Sequence, residues 1–404
     1  MTNTAYAHFI GVGGAGMSGI ARVLHERGIT VTGSDLKESR YARALADAGM
    51  PIFIGHDAAH LGDPEVVVVS SAIPAHNPEL AAAHERGLEI WPRARMLAHL
   101  AGTDATLAVA GTHGKTTTSS MLAAALLGMG HDPTFLIGGE LSDVGSNARC
   151  GRGGHYVVEA DESDGSFLYL SPHLSIITNV EADHLDHYGS FEEIVDTFGA
   201  FIDRTDPDGA VVVCADDPVL VSLARSRSVA RVVTYGMSDD ADVRCHSAVT
   251  DGLGHIFEVT LPDGSTMNVS IAVPGLHNVV NATGVLAALW KLGLDVRAGA
   301  QALAGFSGVR RRFDRVGEVG GVLVVDDYAH HPTEVRATLG AARSAGFERI
   351  WVIFQPHRYS RTRALGRDFG AAFDDADHVV LMDVYGAGEI PIPGVSGKTV
   401  LDEL

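Results

Sequence analysis

Gly111-Thr112-His113-Gly114-Lys115-Thr116 packs two glycines, a lysine and hydroxyl groups into six residues. Glycines let backbone N–H groups approach a phosphate, a lysine can reach the β and γ phosphates, and the Thr116 hydroxyl can bind Mg²⁺. The spacing is a shortened form of G-x-x-x-x-G-K-[ST], because the first glycine of that pattern would fall at Val109. With Thr117 continuing it into a helix, the segment predicts a site for ATP.

A second loop, Gly11-Val12-Gly13-Gly14-Ala15-Gly16, fits G-x-G-x-x-G, and Asp35 lies about twenty residues on, as a dinucleotide fingerprint asks. Taken alone it points to an NAD-dependent dehydrogenase. The physical content is narrower: the backbone can approach a pyrophosphate and a helix amino end supplies donors, which a UDP-sugar would satisfy equally. A tight turn without ligand is the plain alternative.

Acidic and histidine clusters follow. Glu159, Asp161, Glu162 and Asp164 sit where a strand ends, and hard carboxylate oxygens suit Mg²⁺ beside phosphates. Glu159, nearest the strand, is the metal-ligand candidate; a solvated acidic turn is the alternative. Within Glu181-Ala182-Asp183-His184-Leu185-Asp186-His187, His184 is a second metal ligand or a polar anchor. Arg310, Arg311, Arg312, Arg315, Arg358, Arg361 and Arg363 concentrate positive charge late in the chain, and guanidinium forks suit phosphates and carboxylates. Asp326-Asp327-Tyr328-Ala329-His330-His331-Pro332 is a dense polar cluster directly after a strand. Its adjacent histidines make an unconvincing metal pair, so substrate or nucleotide contacts are expected there.

These groups need strand ends and helix starts to hold them. Strands at residues 8–12, 30–33 and 66–69, with a helix at 17–27, form β-α-β units that end near Gly102. Strands at 107–110, 156–158 and 175–178 stop at the polar clusters, which places three of them on one rim of an α/β sheet. Alternating segments from 251 to 273 read as β-structure before a helix that Pro274-Gly275-Leu276-His277-Asn278 opens. From Gly308, strands at 322–325, 350–353 and 379–381 alternate with helices, again predicting a parallel sheet. The expected fold is α/β in three domains: residues 1–102 Rossmann-like, 103–307 a central ATP-binding unit, and 308–404 a Rossmann-like unit expected to be incomplete at Leu404.

Bulk composition narrows the function. Thirty basic against fifty acidic residues give a formal charge of −20, which opposes general attraction to nucleic acid or anionic membranes. Lysine occurs only at 37, 115, 291 and 398, so Lys115 stands out in a chain whose basic residues are mostly arginine. Three scattered cysteines exclude a disulfide framework and suggest no zinc cluster. No apolar run is long enough to span a bilayer, and residues 1–8 lack the pattern of a signal peptide, so the cytoplasm is the expected location.

Taken together, the motifs resemble the Mur ligases, and among them the alanine-adding members. The resemblance rests on residues 13–19, 111–118, 159–164, 183–186, 274–281, 326–332 and 354–359, seven matches in order across essentially the whole chain. It implies a first domain that holds a UDP-sugar through Gly13, Gly14, Ala15, Gly16, Met17, Ser18, Asp35 and Ser71, with UDP-N-acetylmuramate as substrate. It implies ATP and Mg²⁺ on Lys115, Thr116, Glu159 and His184. Adenine-nucleotide contacts would come from His277, Asn278 and Asn281, with Arg312 and Asp327 from the third domain. Tyr328, His330 and Arg358 would face the amino acid, L-alanine. The implied reaction forms an acyl phosphate, then an amide.

Two departures bear on this. Several sister ligases carry a carbamylated lysine downstream of the D-H segment, but no lysine lies between Lys115 and Lys291, as in the alanine-adding members. A recycling ligase that adds a whole peptide is the nearest rival; it typically has Tyr-Asp-Thr where this chain has Ser163-Asp164-Gly165. Outside the family, a dehydrogenase or a non-catalytic nucleotide-binding module remain the other readings.

Overall fold

The computed structural model describes residues 5–102, 104–183 and 185–404, with Leu185 and Asp186 described by backbone alone. Among these residues the strands form a five-stranded sheet, a ten-stranded sheet and two two-stranded pairs. In the first sheet every strand is parallel to its neighbours, in the order Ile52–Ile54, Thr30–Asp35, Tyr6–Ile10, Val66–Val69, Glu89–Pro92. The central strand Tyr6–Ile10 is almost wholly buried, as a strand covered on both faces must be. It is set by its apolar run, but it ends at Ile10. Gly11 takes φ +82°, and the Gly11 and Val12 amides both donate to the Ser34 carbonyl, so the chain turns before the expected strand end.

In the ten-stranded sheet the parallel strands Ala105–Ala110, His155–Glu159, Leu174–Ile177, Ala210–Cys214 and Arg231–Gly236 carry the polar rim at their carboxyl ends. The alternating region 251–273 folds as the strands Gly254–Thr260 and Thr266–Ile271, which extend the sheet antiparallel from Val243–Asp251, a strand that precedes it. Helices Lys115–Gly128 and Leu276–Lys291 pack side by side on one face, burying Met121, Leu122, Val285 and Leu289. The other face shares a continuous core with the first unit. There Gly19 lets the helix Ala15–Glu26 come against Leu136 and Ala148; a Cβ at this position would lie 3.0–3.1 Å from their side chains.

The last unit departs from the expected parallel pattern. Val322–Asp326 pairs antiparallel with Asp314–Val319, while Trp351–Phe354 and His378–Leu381 form a separate parallel pair. The cause is local: Gly320 and Gly321 both have positive φ, as a two-residue hairpin turn requires. Val335, Leu339, Phe354, Phe369, Phe373 and Val400 form the small core of this unit. Among the described residues no helix is long and apolar enough to cross a membrane.

Candidate active site

Three helices begin after a glycine without a side-chain cap or an acidic first turn: Ala15–Glu26 after Gly14, Lys115–Gly128 after Gly114 and Leu276–Lys291 after Gly275; the first two follow the glycine-rich loops singled out in the sequence. Other helices start on capping side chains such as Ser39, Asn77, Ser190 and Asp217. The two glycine loops therefore leave amide donors for an anion, with the helix dipole favouring negative charge.

The Lys115 loop is built tightly. Gly111 has φ +133°, and a Cβ there would lie 2.0 Å from Thr178 Oγ1, so only glycine fits. Asn179 clamps His113 from both sides: its Oδ1 accepts from the His113 amide at 2.8 Å and its Nδ2 donates to the His113 carbonyl at 3.0 Å. Lys115 Nζ donates to the carbonyls of Gly111 (2.6 Å) and Thr112 (3.0 Å) and lies 2.7 Å from Glu162 Oε1. Burial opposes its charge, but Glu162, Glu159 and Asp161 outweigh burial and hold its pKa above the ordinary lysine value. Burial also dominates at Glu162, pushing that carboxyl up to about 7 against the pull of Lys115.

Glu159 points at the same loop. Its Oε1 accepts from Thr116 Oγ1 at 3.1 Å and its Oε2 from the Gly138 amide at 2.7 Å. Oxygens held about 2.0–2.1 Å from an octahedral Mg²⁺ sit roughly 2.9 Å apart when adjacent, so Thr116 and Glu159 are spaced as neighbouring ligands would be. The residues present fit the ion. His184 lies outside the described residues. Its neighbour Asp183 pairs with buried Arg361 at 3.3 Å, joining the central unit to the last.

A cavity of about 200 Å³ opens beside the loop. Its lining includes His113, Gly114, Thr116, Thr117, His277, Asn278, Asn281, Arg312, Asp327 and Glu334. Gly114 packs on Asn281, whose Nδ2 donates to Asn278 Oδ1 at 3.1 Å. Asn278 in turn donates to the Pro274 carbonyl at 2.7 Å, so the two asparagines are fixed before any ligand arrives. His277 stands at the mouth with an exposed face; burial of the rest of its ring, then His255 and Arg312, depress its pKa to about 4. It is therefore neutral at pH 7. Asp327 accepts from the Phe313 amide at 2.7 Å and the Ala329 amide at 2.7 Å.

A second recess joins Lys115, Thr116, Glu159 and Asp161 to Tyr328, His330, His357, Arg358 and Arg361. Arg358 has φ +68°, an uncommon backbone state for a residue with a side chain, at the start of the helix Tyr359–Leu365. His330 Nδ1 lies 2.8 Å from the Tyr328 carbonyl, so Nδ1 carries the hydrogen and Nε2 the lone pair. Burial lowers its pKa, which keeps the ring neutral. His113 behaves oppositely. Burial disfavours its charge, but Glu181 and Glu334 raise it to about 9.

At the first glycine loop, Asp35 Oδ2 accepts from the Gly13 amide at 2.8 Å, and Ser39 Oγ donates to the Gly13 carbonyl at 2.8 Å. The outer side of Gly14 is open. The turn holding Ser71 packs beside Gly11 through Ser70 and Ile73, with Ser71 itself exposed. Two expectations change. The Met17 side chain is in the core, because its helical position faces the sheet, so only its backbone can serve a ligand. Ser18 is buried too, with Oγ donating to the Ala15 carbonyl at 3.0 Å.

Several residues at the site carry no sequence signal. Arg93 lies against Gly16 and reaches Asp161 at 3.7 Å, bridging the first glycine loop and the acidic segment after His155–Glu159. Asn147 Nδ2 donates to the Ala15 carbonyl at 3.0 Å from the central unit. Glu334 faces His113 and Arg312, both at 3.5 Å; its place three residues after His331, as in a capping box, was the available clue. Of the seven arginines, Arg312, Arg358 and Arg361 line the site. Arg310, Arg311 and Arg315 pair instead with Glu140, Asp326 and Glu318, and Arg363 is exposed and lines neither recess.

Comparison with known proteins agrees with this geometry. Residues 6–104 match the model of the Mur ligase family catalytic domain, 109–289 the Mur ligase middle domain and 311–404 the Mur ligase glutamate ligase domain. A UDP-N-acetylmuramate--L-alanine ligase of Rubrobacter xylanophilus is 52% identical, over 98% of this chain and 88% of its own length. One of Mycobacterium marinum is 48% identical, over 98% and 85%. The crystal structure of a UDP-N-acetylmuramate-alanine ligase from Thermotoga maritima superposes with a TM-score of 0.82 at 33% identity, covering 98% of this chain and 87% of that one. A murein peptide ligase from Psychrobacter arcticus gives 0.76 at 28%, covering 98% and 88%. The chain belongs to the Mur ligase family.

Proposed function

We propose that the protein joins L-alanine to the lactyl carboxylate of UDP-N-acetylmuramate, using ATP and Mg²⁺, in cytoplasmic synthesis of a peptidoglycan precursor. The observation that carries the reading is the placing of Lys115, Thr116 and Glu159 between the cavity lined by His277, Asn278 and Asn281 and the recess of Tyr328, His330 and Arg358. Relatives about half identical over nearly the whole chain bear that activity in their names.

In this reading the uncapped helix after Gly14 receives the UDP pyrophosphate and the one after Gly114 the phosphates of ATP. His277, Asn278 and Asn281 hold the adenosine side, and Arg312 and Asp327 close on it from the last unit. A carboxylate oxygen of the sugar attacks the γ-phosphorus, the bond to ADP breaks, and an acyl phosphate forms. Lys115 leaves Glu162 and its loop carbonyls to neutralise the transferring group, which is where most phosphoryl-transfer catalysis comes from. Bound Mg²⁺, held by Thr116 and Glu159, supplies further neutralisation of phosphate charge. The alanine amine then attacks the acyl carbon, phosphate leaves, and His330 Nε2 takes the surplus proton. Arg358 pairs with the alanine carboxylate. Closure through Arg361 and Asp183 keeps water from the acyl phosphate.

The test is phosphate release with mass detection of the UDP product across L-alanine, glycine, L-serine and a cell-wall tripeptide. Release that depends on both UDP-N-acetylmuramate and L-alanine supports the reading. Nicotinamide-dependent reduction, or preference for the tripeptide, sinks it.

A further inference from the structure

His113, Glu181 and His331 come from three separate segments: the phosphate loop, the loop after Leu174–Ile177 and the start of the helix Pro332–Ser344. One donor atom from each lies within 4.8 Å of the others. None has a place in the metal set of Thr116 and Glu159. We propose that these three side chains form a binding site for a borderline divalent cation such as Zn²⁺, which pins the last unit to the phosphate loop.

The donors are the right kind. Two imidazoles and one carboxylate, with a fourth position left open, are a common zinc set. The spacing agrees as well: ligands about 2.0–2.1 Å from a tetrahedral zinc lie roughly 3.3 Å apart, and His113 Nε2 is 3.4 Å from Glu181 Oε2. Nε2 of His331 is buried without a hydrogen-bond partner, and Nε2 of His113 makes no hydrogen bond and faces only the carboxylate of Glu181, its fellow ligand. His331 is itself only 6% exposed.

The surroundings supply the outer contacts that orient metal ligands. Glu334 Oε1 faces His113 Nδ1 at 3.5 Å, which fixes Nδ1 as the protonated nitrogen and turns Nε2 toward the ion. Thr333 Oγ1 donates to Glu181 Oε2 at 3.0 Å. Binding displaces one proton from His113 Nε2 to solvent. At His331 it moves the ring hydrogen to Nδ1, giving up a 3.3 Å bond from the Thr333 amide. This leaves the Thr333 amide without its acceptor, a cost that the metal bond must exceed, while Glu334 still accepts from the His330 and His331 amides at the same helix start. A lone proton between the rings cannot satisfy three donors at once, and a metal ion can.

The experiment titrates the full, nucleotide-free chain in magnesium-free buffer with ZnCl₂ against a chromophoric zinc indicator, and with CoCl₂ followed by visible absorption. The expected result is one tight equivalent and the intense bands of tetrahedral cobalt. His331→Gln and Glu181→Gln should each weaken that equivalent at least about tenfold and abolish the bands, while His84→Gln, on an unrelated helix of the first unit, changes neither. A thermal melt with Zn²⁺ should rise for the unaltered chain and stay level for both variants. Absence of a tight equivalent, absence of tetrahedral bands, or variants that titrate like the parent would each overturn the proposal. None of these readouts depends on ligase activity.

Discussion

The ammonium of Lys115 lies 2.7 Å from Oε1 of Glu162, so the lysine proposed to bind phosphate is already committed to a carboxylate. Phosphate must displace that partner, and Lys115 must also release two loop carbonyls. Replacing Lys115 with alanine should reduce kcat by at least about 10²–10³-fold, the scale expected when a group that stabilises transition-state charge is lost. Single-turnover phosphate release with folding checked by circular dichroism measures this. Ligation surviving at the parental rate would end the proposed mechanism.

Glu162 makes stability depend on pH. Burial lifts its folded pKa to about 7 from an ordinary value of 4.5, so the folded chain binds this proton more tightly than the unfolded one. The stabilising contribution is complete below about pH 4.5 and is lost as pH rises through 7, at most on the order of 3 kcal/mol. Melting temperature measured from pH 5 to 8 should fall more steeply for the parent than for Glu162→Gln. Parallel profiles would refute the assignment.

Ser34 should control the sugar side alone. Its carbonyl accepts the Gly11 and Val12 amides, and its hydroxyl donates to buried Glu79 at 2.6 Å. Glu79 is further held by His8 at 3.0 Å and the Asp57 amide at 3.2 Å. Ser34→Ala frees the end of that strand from Glu79, and with it the anchor of the first glycine loop. KM for UDP-N-acetylmuramate should rise on the order of tenfold, with KM for ATP unchanged. An equal rise in both constants would show that the two loops are not independently anchored.

Asn281 should act on the nucleotide in the complementary way. It is buried, packs beneath Gly114 and lines the cavity. Asn281→Ala should raise KM for ATP about five- to tenfold with little change in kcat, as removal of uniform binding does. Equilibrium binding of a non-hydrolysable ATP analogue checks it; unchanged affinity would place adenosine elsewhere.

Much of the site was legible because its key residues are neighbours in sequence. Lys115 and Thr116 follow Gly114 on a helix start, and the strand before them is a plain apolar run, so spacing alone predicts the strand, the glycine turn and the helix that present Lys115. Asp35 was flagged as a sugar contact, yet its oxygens accept from the Gly13 and Lys37 amides, a backbone role that the motif does not distinguish. The hairpin at Gly320 and Gly321 was missed as a pairing although its turn was visible, because apolar alternation does not say which strand a segment will join.

What the sequence determined by itself was local: glycine turns that demand positive φ, strand ends carrying acids, and the order of seven motifs that placed the chain in its family. Tertiary structure decided what lies far apart in the chain. It set Glu162 on Lys115, Arg93 between Gly16 and Asp161, and Glu181 and Glu334 around His113. These pairs depend on how helices and sheets pack, since packing alone brings residues tens to hundreds of positions apart within a few ångströms. Periodicity and spacing describe one segment at a time, so they cannot contain that information.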